Sequence, residues 1–527
     1  MKNNNLYLGL IIILSVSIGY LLGSNNFINS YSTNSDNSSV KKLNRLIKYL
    51  TQDYVDEINS DSLVNIVIKE IVNKLDPHSV FIPAVQRESL SESMKGNFHG
   101  IGVQFRMLQD TVAVSRVLKG GPSEKAGLLS GDRILMADED TLFQKELNSD
   151  QIISRLKGNS KTPVRLSVYR KKEDSIYSFD IVRGPVPLPS VNALYMVDEI
   201  TGYIKITRFS QTTYPEFKNA ITFLKAKKMK RLIIDLRGNP GGYLQPAKKI
   251  ADDLLEAKKG IVIVEANNGK RVQTFSTSGG LFEKGELLIL VDEDSASASE
   301  VVAGAVQDND RGLIIGRRTF GKGLVQQQMP LGQGDQVRLT TARYYTPTGR
   351  SIQRPYDTSS RTDYYAEVRK RHQTGEMNDP SKIPINDSLI FTTPKGKKVY
   401  GGGGITPDIY VSTQETKDEL WNDYIIGSNL IDLFVFLELD KNVKNFNFDN
   451  KQKFLNEELP NPNEFIDSFT EFCKKNNLPI KVTKKNKENI LNSIKAFIAL
   501  QVYDENTYFK IANQNDKFVI RAMETDW

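Results

Sequence analysis

At 527 residues, the chain is long enough for three or four domains of about 150 residues each. Hydrophobic residues make up 39% and charged residues 25% of it, which excludes an intrinsically disordered polymer. The net charge of +7 comes without any block of basic residues, and the single cysteine excludes both a disulfide framework and a cysteine-ligated metal cluster. His78, His99 and His372 are too widely separated to predict a zinc site. We therefore expect no nucleic-acid partner and no metal or other cofactor.

The amino terminus carries an uncharged, largely apolar run of 18 residues, Leu6–Gly23, preceded by Lys2. This length is at the short end of what spans a bilayer as a helix, and the alternative is a cleaved signal peptide. No small-x-small cleavage site directly follows the run, which favours an uncleaved anchor. With Lys2 on the cytoplasmic side, the rest of the chain is expected in the cell envelope, anchored in the inner membrane and facing the periplasm, or secreted to the periplasm if the segment is cleaved. Residues 24–39 are rich in Asn and Ser and predict a flexible tether.

Residues 40–85 are predicted as an amino-terminal helical region, because apolar residues recur at helical spacing up to a stop at Pro77. From Phe98 onwards the pattern changes to short strands and glycine turns, which predicts a β-rich domain over residues 86–184. The proline-rich segment Arg183–Pro189 is predicted to be a semi-rigid linker.

Strands and helices alternate over residues 185–412. Helices are predicted at 214–226, 244–257 and 299–307, and nearly continuous runs of Ile, Leu and Val predict strands at 203–206, 231–236, 261–265, 287–291 and 313–316. Such apolar strands between helices predict a parallel or mixed sheet that is covered on both faces.

Residues 413–527 are predicted as a mostly helical extension. Two apolar stripes at helical spacing run through it, one of Phe465, Ile466, Phe469, Phe472 and Cys473, and one of Ile490, Leu491, Ile494, Phe497 and Ile498. Cys473 is therefore predicted to be a core residue and not a nucleophile. The sequence of the extension identifies no chemistry.

The first candidate for chemistry is the serine-rich turn Ser295-Ala-Ser-Ala-Ser-Glu300, which leads from the strand at 287–291 into a helix. Small residues at such a turn expose a serine hydroxyl beside backbone N–H groups, and a nucleophile that forms an oxyanion needs that arrangement. The alternative is structural, since Ser297 and Glu300 have the spacing of a capping box.

A serine nucleophile needs a base, and no histidine has a suggestive place in the sequence. Phe320-Gly-Lys-Gly323 holds a lysine in a tight glycine turn, and a lysine acts as a general base when burial lowers its pKa. If a strand continues over residues 323–329, then Lys322, Leu324 and Gln326 point to one face, and Gln326 can hold the amine. The alternative is an exposed turn lysine without a catalytic role.

Arg237-Gly-Asn-Pro-Gly-Gly242 follows the predicted strand at 231–236. Glycines in that place free backbone N–H groups to face a bound anion or oxyanion. A phosphate-binding loop is the competing interpretation, but the segment lacks both the Gly-Lys-Ser/Thr ending and the Gly-x-Gly-x-x-Gly spacing.

Together these segments resemble the carboxyl-terminal processing (tail-specific) proteases. The resemblance runs in family order over about residues 40–410, through Leu75–Ser79, Asp235–Gly242, Ser295–Glu300, Thr319–Gly323, Tyr344–Gly349 and Gly404–Asp408. It implies a multidomain α/β protein, in which a mixed αβ serine-protease core is combined with an inserted PDZ domain, amino-terminal helices and the mostly helical carboxyl-terminal extension.

The resemblance also implies a serine endopeptidase with a Ser/Lys dyad and no cofactor, which processes or degrades cell-envelope proteins. It maps the nucleophile to Ser297, the base to Lys322 (25 residues later) and an orienting glutamine to Gln326. It maps the oxyanion hole to the N–H of Ala298 and to one N–H from the Gly241-Gly242 turn, and it leaves open which of the two glycines contributes.

The PDZ domain of this family lies between the amino-terminal helices and the catalytic core. Phe98–Val103 resembles its carboxylate-binding loop, with Gly100, Ile101, Gly102 and Val103 as the peptide-binding residues, and Gly121–Gly127 and Gly131–Ile134 resemble the rest of the signature. Successive N–H groups in such a loop capture a chain-terminal carboxylate, while an added strand and apolar pockets read the last side chains. The alternative for this loop is an ordinary glycine turn.

The expected partners are protein or peptide substrates with apolar carboxyl termini, and the membrane through the amino-terminal segment, with an oligomeric or adaptor partner left open. Two other functions also stay open. The first is an envelope adaptor that binds through the PDZ domain on an inactive core, against which the intact Ser297, Lys322 and Gln326 argue. The second is an enzyme that stabilises the enolate of an acyl thioester through the glycine turn, which leaves the PDZ signature unexplained.

Overall fold

The structure is a computed structural model that describes residues 38–108, 110–144, 146–356, 361–412, 421, 424–425, 428–441 and 450–526. The predictions for Leu6–Gly23 and for residues 24–37 lie outside these described residues. Within them, no helix is both long and apolar enough to cross a membrane. The chain divides into two compact units between Ile71 and Val72.

Two helices stand at the start of the described chain, α1 (Ser38–Gln52) and α2 (Ser60–Asn73). Helix α1 already includes Ser38 and Ser39, so the tether prediction is wrong for these two residues. Serine is a favoured residue at the start of a helix, and composition alone does not distinguish that role from a place in a tether.

The second unit continues with strand β1 (Val80–Ile82) and helix α3 (Ala84–Lys95), and then with a β-rich domain. The elements of that domain are β2 (Asn97–Gly100), β3 (Val103–Leu108), β4 (Thr111–Val117), α4 (Pro122–Ala126), β5 (Arg133–Ala137), β6 (Asp140–Thr141), α5 (Ser149–Leu156), β7 (Pro163–Arg170), β8 (Ser175–Val182) and β9 (Gly184–Pro187). Its sheet is antiparallel and has the order β3-β4-β5-β7-β8, which places β3 at an edge. Val112, Ile134 and Leu166 are buried in a core that belongs to this domain.

The linker prediction for Arg183–Pro189 is wrong, because Gly184–Pro187 forms strand β9, which pairs with β2. In this two-stranded ribbon Pro185 lies opposite His99 and Pro187 lies opposite Asn97. Prolines are tolerated in a strand whose N–H side needs no partner, so a proline-rich segment can still pair at an edge.

The largest domain contains two sheets. Its elements are β10 (Val191–Met196), β11 (Thr201–Ile206), α6 (Thr213–Ala226), β12 (Arg231–Asp235), α7 (Leu244–Leu254), β13 (Gly260–Ala266), β14 (Arg271–Phe275), β15 (Glu286–Val291), α8 (Ala298–Asp308), β16 (Leu313–Gly316), β17 (Leu324–Gly332), β18 (Asp335–Tyr345), α9 (Arg361–Thr374), the 3₁₀ turns Pro380–Lys382 and Asp387–Leu389, β19 (Ile390–Thr392), β20 (Lys398–Tyr400) and β21 (Ile409–Tyr410).

The central sheet has the order β10-β11-β12-β15-β16-β21 and is mixed, since β10 is antiparallel to β11 while the other neighbours are parallel. Helices α6, α7 and α8 cover one face, where Phe217, Ile250 and Val302 are buried. The mixed α/β fold, with helices on this face of the sheet, is therefore confirmed.

The strand predicted at 261–265 does not belong to the central sheet. It forms β13 in a second, antiparallel sheet with the order β1-β18-β13-β14, in which β17 also pairs with β18. Strand β13 is only partly buried, whereas β15 is buried over nearly its whole length. A short apolar run alone does not tell these two situations apart.

The described part of the carboxyl-terminal extension contains α10 (Asn429–Lys441), α11 (Lys451–Asn456), α12 (Pro462–Lys475), α13 (Lys484–Val502), α14 (Glu505–Ala512) and α15 (Lys517–Met523). Cys473 is buried in the core of this helical region, as predicted. Helix α14 lies against β10, and α15 lies against β15 and β16. There Val519 and Ala522 are buried with Tyr203 and Leu288, so the extension itself covers the second face of the central sheet.

Candidate active site

Three loops meet where the parallel strands β12, β15 and β16 end. They span residues 236–243, 292–297 and 317–323. Because parallel strands present their carboxyl ends at one edge of a sheet, segments far apart in the sequence come together there. The loops carry all the predicted catalytic and oxyanion residues except two. Ala298 is the first residue of α8, and Gln326 lies in β17.

Ser297 is the accessible serine of its turn. Ser295 and Ser299 are both 0% exposed, and their hydroxyls donate hydrogen bonds to the carbonyls of Leu236 (2.9 Å) and Asn239 (3.0 Å), whereas Ser297 is partly exposed. Ser297 also has φ 55° and ψ −111°, a conformation that side-chain-bearing residues rarely adopt. Such strain at a strand-to-helix turn is typical of exposed nucleophiles.

Lys322 is held by a glutamine. Its Nζ donates to Oε1 of Gln326 at 2.9 Å. Burial, together with the positive charge of Arg338, lowers the pKa of Lys322 to about 8. The contact with Gln326 forms although the pairing of β17 with β18 shifts register between Val325 and Gln326.

The segment Leu75–Ser79 fixes Gln326 from the other side. The Nε2 of Gln326 donates to the carbonyl of His78 at 2.7 Å. The Asp76 carboxylate accepts the N–H groups of His78 (2.8 Å) and Ser79 (2.9 Å), which holds this turn in shape. The glutamine is thus fixed at both ends of its amide.

The ring of His78 lies near the site but is a poor base. Burial and the charge of Lys322 lower the pKa of His78 to about 3, and its Nε2 lies 3.0 Å from the Tyr364 hydroxyl. At neutral pH the ring is uncharged and has little tendency to take a proton. His78 therefore contributes its backbone carbonyl to the site.

Glu300 links the turn that carries Ser297 to the turn that carries Lys322 through hydrogen bonds. It is fully buried, and its two carboxylate oxygens accept the N–H of Ser297 (2.7 Å), the N–H of Lys322 (2.9 Å), the N–H of Gly321 (2.7 Å) and the Thr319 hydroxyl (2.6 Å). The bond from Ser297 is one that a capping box predicts, so capping and a catalytic role of this turn are compatible.

Tyr344 makes a second link between the same two turns. Its hydroxyl lies 2.9 Å from the carbonyl of Ser297 and 2.5 Å from the carbonyl of Lys322. The side chain is almost fully buried, and burial holds the pKa of Tyr344 well above its usual value, so the hydroxyl remains a donor. Glu300 and Tyr344 together fix the position of one turn relative to the other.

The glycine turn differs at its two glycines. The N–H of Gly241 donates to Oδ1 of Asn239 at 2.9 Å, whereas the N–H groups of Gly242 and Ala298 have no acceptor among the described residues. Gly241 has φ +95°, and a Cβ at this position would lie 2.8 Å from Cβ of Ser297, so the turn passes directly against the serine. The Asp292 carboxylate accepts the N–H of Gly238 (2.9 Å), and a carboxylate in that place opposes phosphate binding.

The predicted peptide-binding loop connects β2 to the edge strand β3. Gly100 ends β2, Val103 begins β3, and Gly102 has φ +84°. The N–H groups of Ile101 and Gly102 have no acceptor within the described ranges, while both carbonyls accept hydrogen bonds, from Ser123 (2.8 Å) and Leu118 (2.9 Å). Free N–H groups beside an edge strand are what capture of a peptide terminus requires.

Comparisons with known proteins identify the family and the domains of the chain. Residues 100–180 match the PDZ domain, residues 200–358 match peptidase family S41, and residues 421–504 match a family of unknown function. The carboxy-terminal-processing protease of Bartonella bacilliformis is 34% identical over 332 residues, which are 62% of this chain and 75% of that protein. The chain belongs to the carboxy-terminal processing proteases. A second relative, the carboxy-terminal processing protease CtpA of Bacillus subtilis, is 30% identical over 373 residues, or 69% of this chain and 79% of that protein.

The family resemblance seen in the sequence is thereby confirmed, and the protein is a carboxy-terminal processing serine protease with a PDZ domain. Sequence reasoning missed what joins the loops of this protease. The sequence predicts only a helix cap for Glu300, only a helix stop within Leu75–Ser79, and no role for Tyr344–Gly349. Their presence among the family motifs was the signal that they serve the site.

Proposed function

We propose that this protease cleaves peptide bonds with Ser297 as nucleophile and Lys322 as general base, while Gln326 holds the lysine amine. The observation that carries the proposal is that the Glu300 carboxylate accepts the N–H groups of both Ser297 and Lys322 and so joins their turns, and burial there lowers the pKa of Lys322 to about 8. At pH 7 roughly a tenth of such an amine is neutral, against roughly 0.03% for an ordinary lysine. A lysine in this state accepts a proton from a hydroxyl.

In the proposed mechanism, neutral Lys322 takes the proton of the Ser297 hydroxyl as the oxygen attacks the substrate carbonyl carbon. The tetrahedral intermediate expels the amine of the following residue, which receives the proton from Lys322. Water then attacks the acyl-enzyme and gives a proton to Lys322, which passes that proton to the Ser297 oxygen as the acyl C–O bond breaks, so that the new carboxyl terminus, free serine and neutral lysine are released.

We assign the oxyanion hole to the N–H groups of Ala298 and Gly242. Both N–H groups lack an acceptor among the described residues, whereas the Gly241 N–H is engaged by Asn239. Ala298 is the first residue of α8, so the partial positive charge of the helix start adds to the stabilisation of the oxyanion.

We propose that the PDZ loop Gly100–Val103 binds the carboxyl terminus of the substrate, and that the substrate's last residues add a strand to β3. Support comes from the free N–H groups of Ile101 and Gly102 and from the edge position of β3. The apolar side chains of Val103 and Phe105 on β3, which pack on the core of this domain, favour an apolar terminus.

We place the substrates in the cell envelope because of Leu6–Gly23, and recovery of the full chain in the soluble cytoplasmic fraction would contradict that placement.

The test compares full-length protein with its Ser297→Ala variant on an unfolded protein that ends in apolar residues, and on the same protein with a charged ending. We expect cleavage by the parent alone, faster for the apolar ending. Ser278→Ala, at an exposed serine outside the site, is the matched control and is expected to cleave like the parent.

The outcomes separate the parts of the proposal. Full activity of Ser297→Ala would contradict the nucleophile. Cleavage that depends on Ser297 but ignores the ending would contradict recognition through the PDZ loop. Tight binding of the apolar ending without cleavage by either protein would indicate an adaptor instead of a protease.

A further inference from the structure

The last helix of the carboxyl-terminal extension begins beside the glycine turn of the active site. Asp516 is the N-cap of α15, and its Oδ1 accepts the N–H groups of Phe518 (3.0 Å) and Val519 (2.9 Å). The same carboxylate accepts two contacts from Nη1 of Arg237, at 2.9 Å and 2.8 Å. Arg237 opens the segment Arg237–Gly242, which carries the proposed oxyanion donor.

Arg237 is held between two carboxylates. On its other side the guanidinium binds Asp235, with Nη2 to Oδ2 at 2.6 Å, and Asp235 is 0% exposed. Burial opposes a charged guanidinium here, but Asp235 and Asp516 hold the pKa of Arg237 well above its usual value. Removing either carboxylate would leave this largely buried cation with one carboxylate partner instead of two.

The backbone of Arg237 is fixed by the same network. Lys205 Nζ donates to the carbonyl of Arg237 at 2.6 Å and to Oδ1 of Asp235 at 3.1 Å, and the Arg237 N–H donates to Oδ1 of Asp235 at 2.9 Å. Movement of the Arg237 side chain would therefore be transmitted to the start of the glycine turn.

The same helix also contacts the loop that leads to Lys322. The ring of Phe518 lies 4.6 Å from Cζ of Arg237 and 4.9 Å from Cζ of Arg317. Arg317 in turn donates to the Glu293 carboxylate at 2.7 Å, in the loop before Ser297. The first turn of α15 thus contacts Arg237 in the loop of residues 236–243 and Arg317 in the loop of residues 317–323. Through Arg317 it is also linked to the loop of residues 292–297.

We propose that Asp516 is a positioning residue of this protease, which holds Arg237 and through it the glycine turn that presents the Gly242 N–H. The inference rests on the proposed function, in which that N–H stabilises the oxyanion. It gives the carboxyl-terminal extension a defined role in catalysis, 219 residues after the nucleophile Ser297 (516 − 297).

The test is Asp516→Asn, which keeps an oxygen for the helix cap but removes the charge that faces Arg237. Because small displacements of catalytic groups cost up to about a hundredfold, we expect kcat to fall about ten- to a hundredfold with KM within about twofold of the parent. Asp504→Asn is the matched control, since Asp504 caps α14 in the same way and pairs with the more exposed Lys119 and Lys451. It is expected to leave kcat unchanged.

Two further measurements separate positioning from general destabilisation. In an Arg237→Gln background, Asp516→Asn is expected to lower kcat no further, because both changes break one link. Hydrogen exchange of the peptide over residues 235–242 is expected to become faster in Asp516→Asn and not in Asp504→Asn.

An unchanged kcat and unchanged hydrogen exchange in Asp516→Asn would overturn the inference. An equal loss of kcat on introducing Asp516→Asn into the parent and into the Arg237→Gln variant would overturn it as well. If the parent shows cleavage that depends on Ser297 while Asp516→Asn is fully active, the inference fails and the proposed function stands. If Ser297→Ala retains the activity of the parent, the proposed function fails, and the exchange measurement still decides whether Asp516 holds the turn.

Discussion

Replacing Lys322 with methionine is expected to lower kcat by about a thousandfold or more, because general acid–base catalysis by a positioned side chain contributes roughly 10²–10⁴-fold and we identify no other base for Ser297 among the described residues. Methionine has a similar length and no proton acceptor of comparable strength. The His78 ring cannot substitute, since burial lowers the pKa of His78 to about 3. Steady-state cleavage of a peptide at saturating concentration measures the effect.

The loss of activity should not come from unfolding. Burial lowers the pKa of Lys322 from its usual value of 10.5 to about 8, so the folded state disfavours the charged amine. The resulting loss of folding stability is fully present below pH 8. It disappears as the pH rises from 8 to 10.5, because in this range the unfolded chain binds more protons than the folded chain. We therefore expect the Tm of Lys322→Met at pH 7 to equal or exceed that of the parent.

The matched control is Lys284→Met, at an exposed lysine outside the site, which should retain the parental kcat. Loss of less than about tenfold in Lys322→Met would contradict the role of the lysine as general base. A lower Tm together with a lower kcat would point to a structural role instead.

Glu300→Gln is expected to lower the free energy of unfolding by about 3 kcal/mol or more. The carboxylate accepts four hydrogen bonds, two at each oxygen, and an amide keeps only one of these oxygens. The NH₂ group then faces two buried donors, and a buried donor without a partner costs about 1–3 kcal/mol. Urea denaturation of the parent and the variant measures this difference.

Activity should fall as well, by about a hundredfold, because Glu300 holds the Ser297 and Lys322 turns in place and misplaced catalytic groups react slowly. Glu283→Gln is the matched control. Its carboxylate also accepts two backbone N–H groups, from Gly279 (2.8 Å) and Gly280 (2.6 Å), but it is partly exposed to solvent, so the expected loss of stability is under about 1 kcal/mol. Parental stability and activity in Glu300→Gln would show that the buried carboxylate does not join the two turns.

The order of elements in the catalytic core could be predicted from the sequence, because buried parallel strands are continuous apolar runs that end in glycine- and serine-rich turns. The strands at β12, β15 and β16 show this pattern, and the turn after each one carries a family motif. Family motifs also predict which serine, lysine and glutamine form the proposed site, and the structure brings two of them, Lys322 and Gln326, into contact.

What could not be predicted is pairing over long distances. The carbonyl of His78 holds Gln326 across 248 positions, and Asp516 holds Arg237 across 279. Every residue has a backbone carbonyl, so the residue type does not indicate which carbonyl accepts a side-chain hydrogen bond. An aspartate before a helix predicts only that it caps the helix. The same limit applies to α14 and α15, because apolar periodicity predicts a helix without indicating which sheet it covers.

The most direct test of the proposed mechanism is the pH dependence of Ser297 phosphonylation by a fluorophosphonate probe, with the labelled residue located by mass spectrometry. In the proposed mechanism the neutral form of Lys322 is the base, and burial lowers the pKa of Lys322 to about 8, so we predict that the rate rises with pH through a single transition near 8. The transition should be absent in Lys322→Met. Labelling of another residue, or a transition near 8 that persists in Lys322→Met, would contradict the assignment of Ser297 and Lys322 as the catalytic pair.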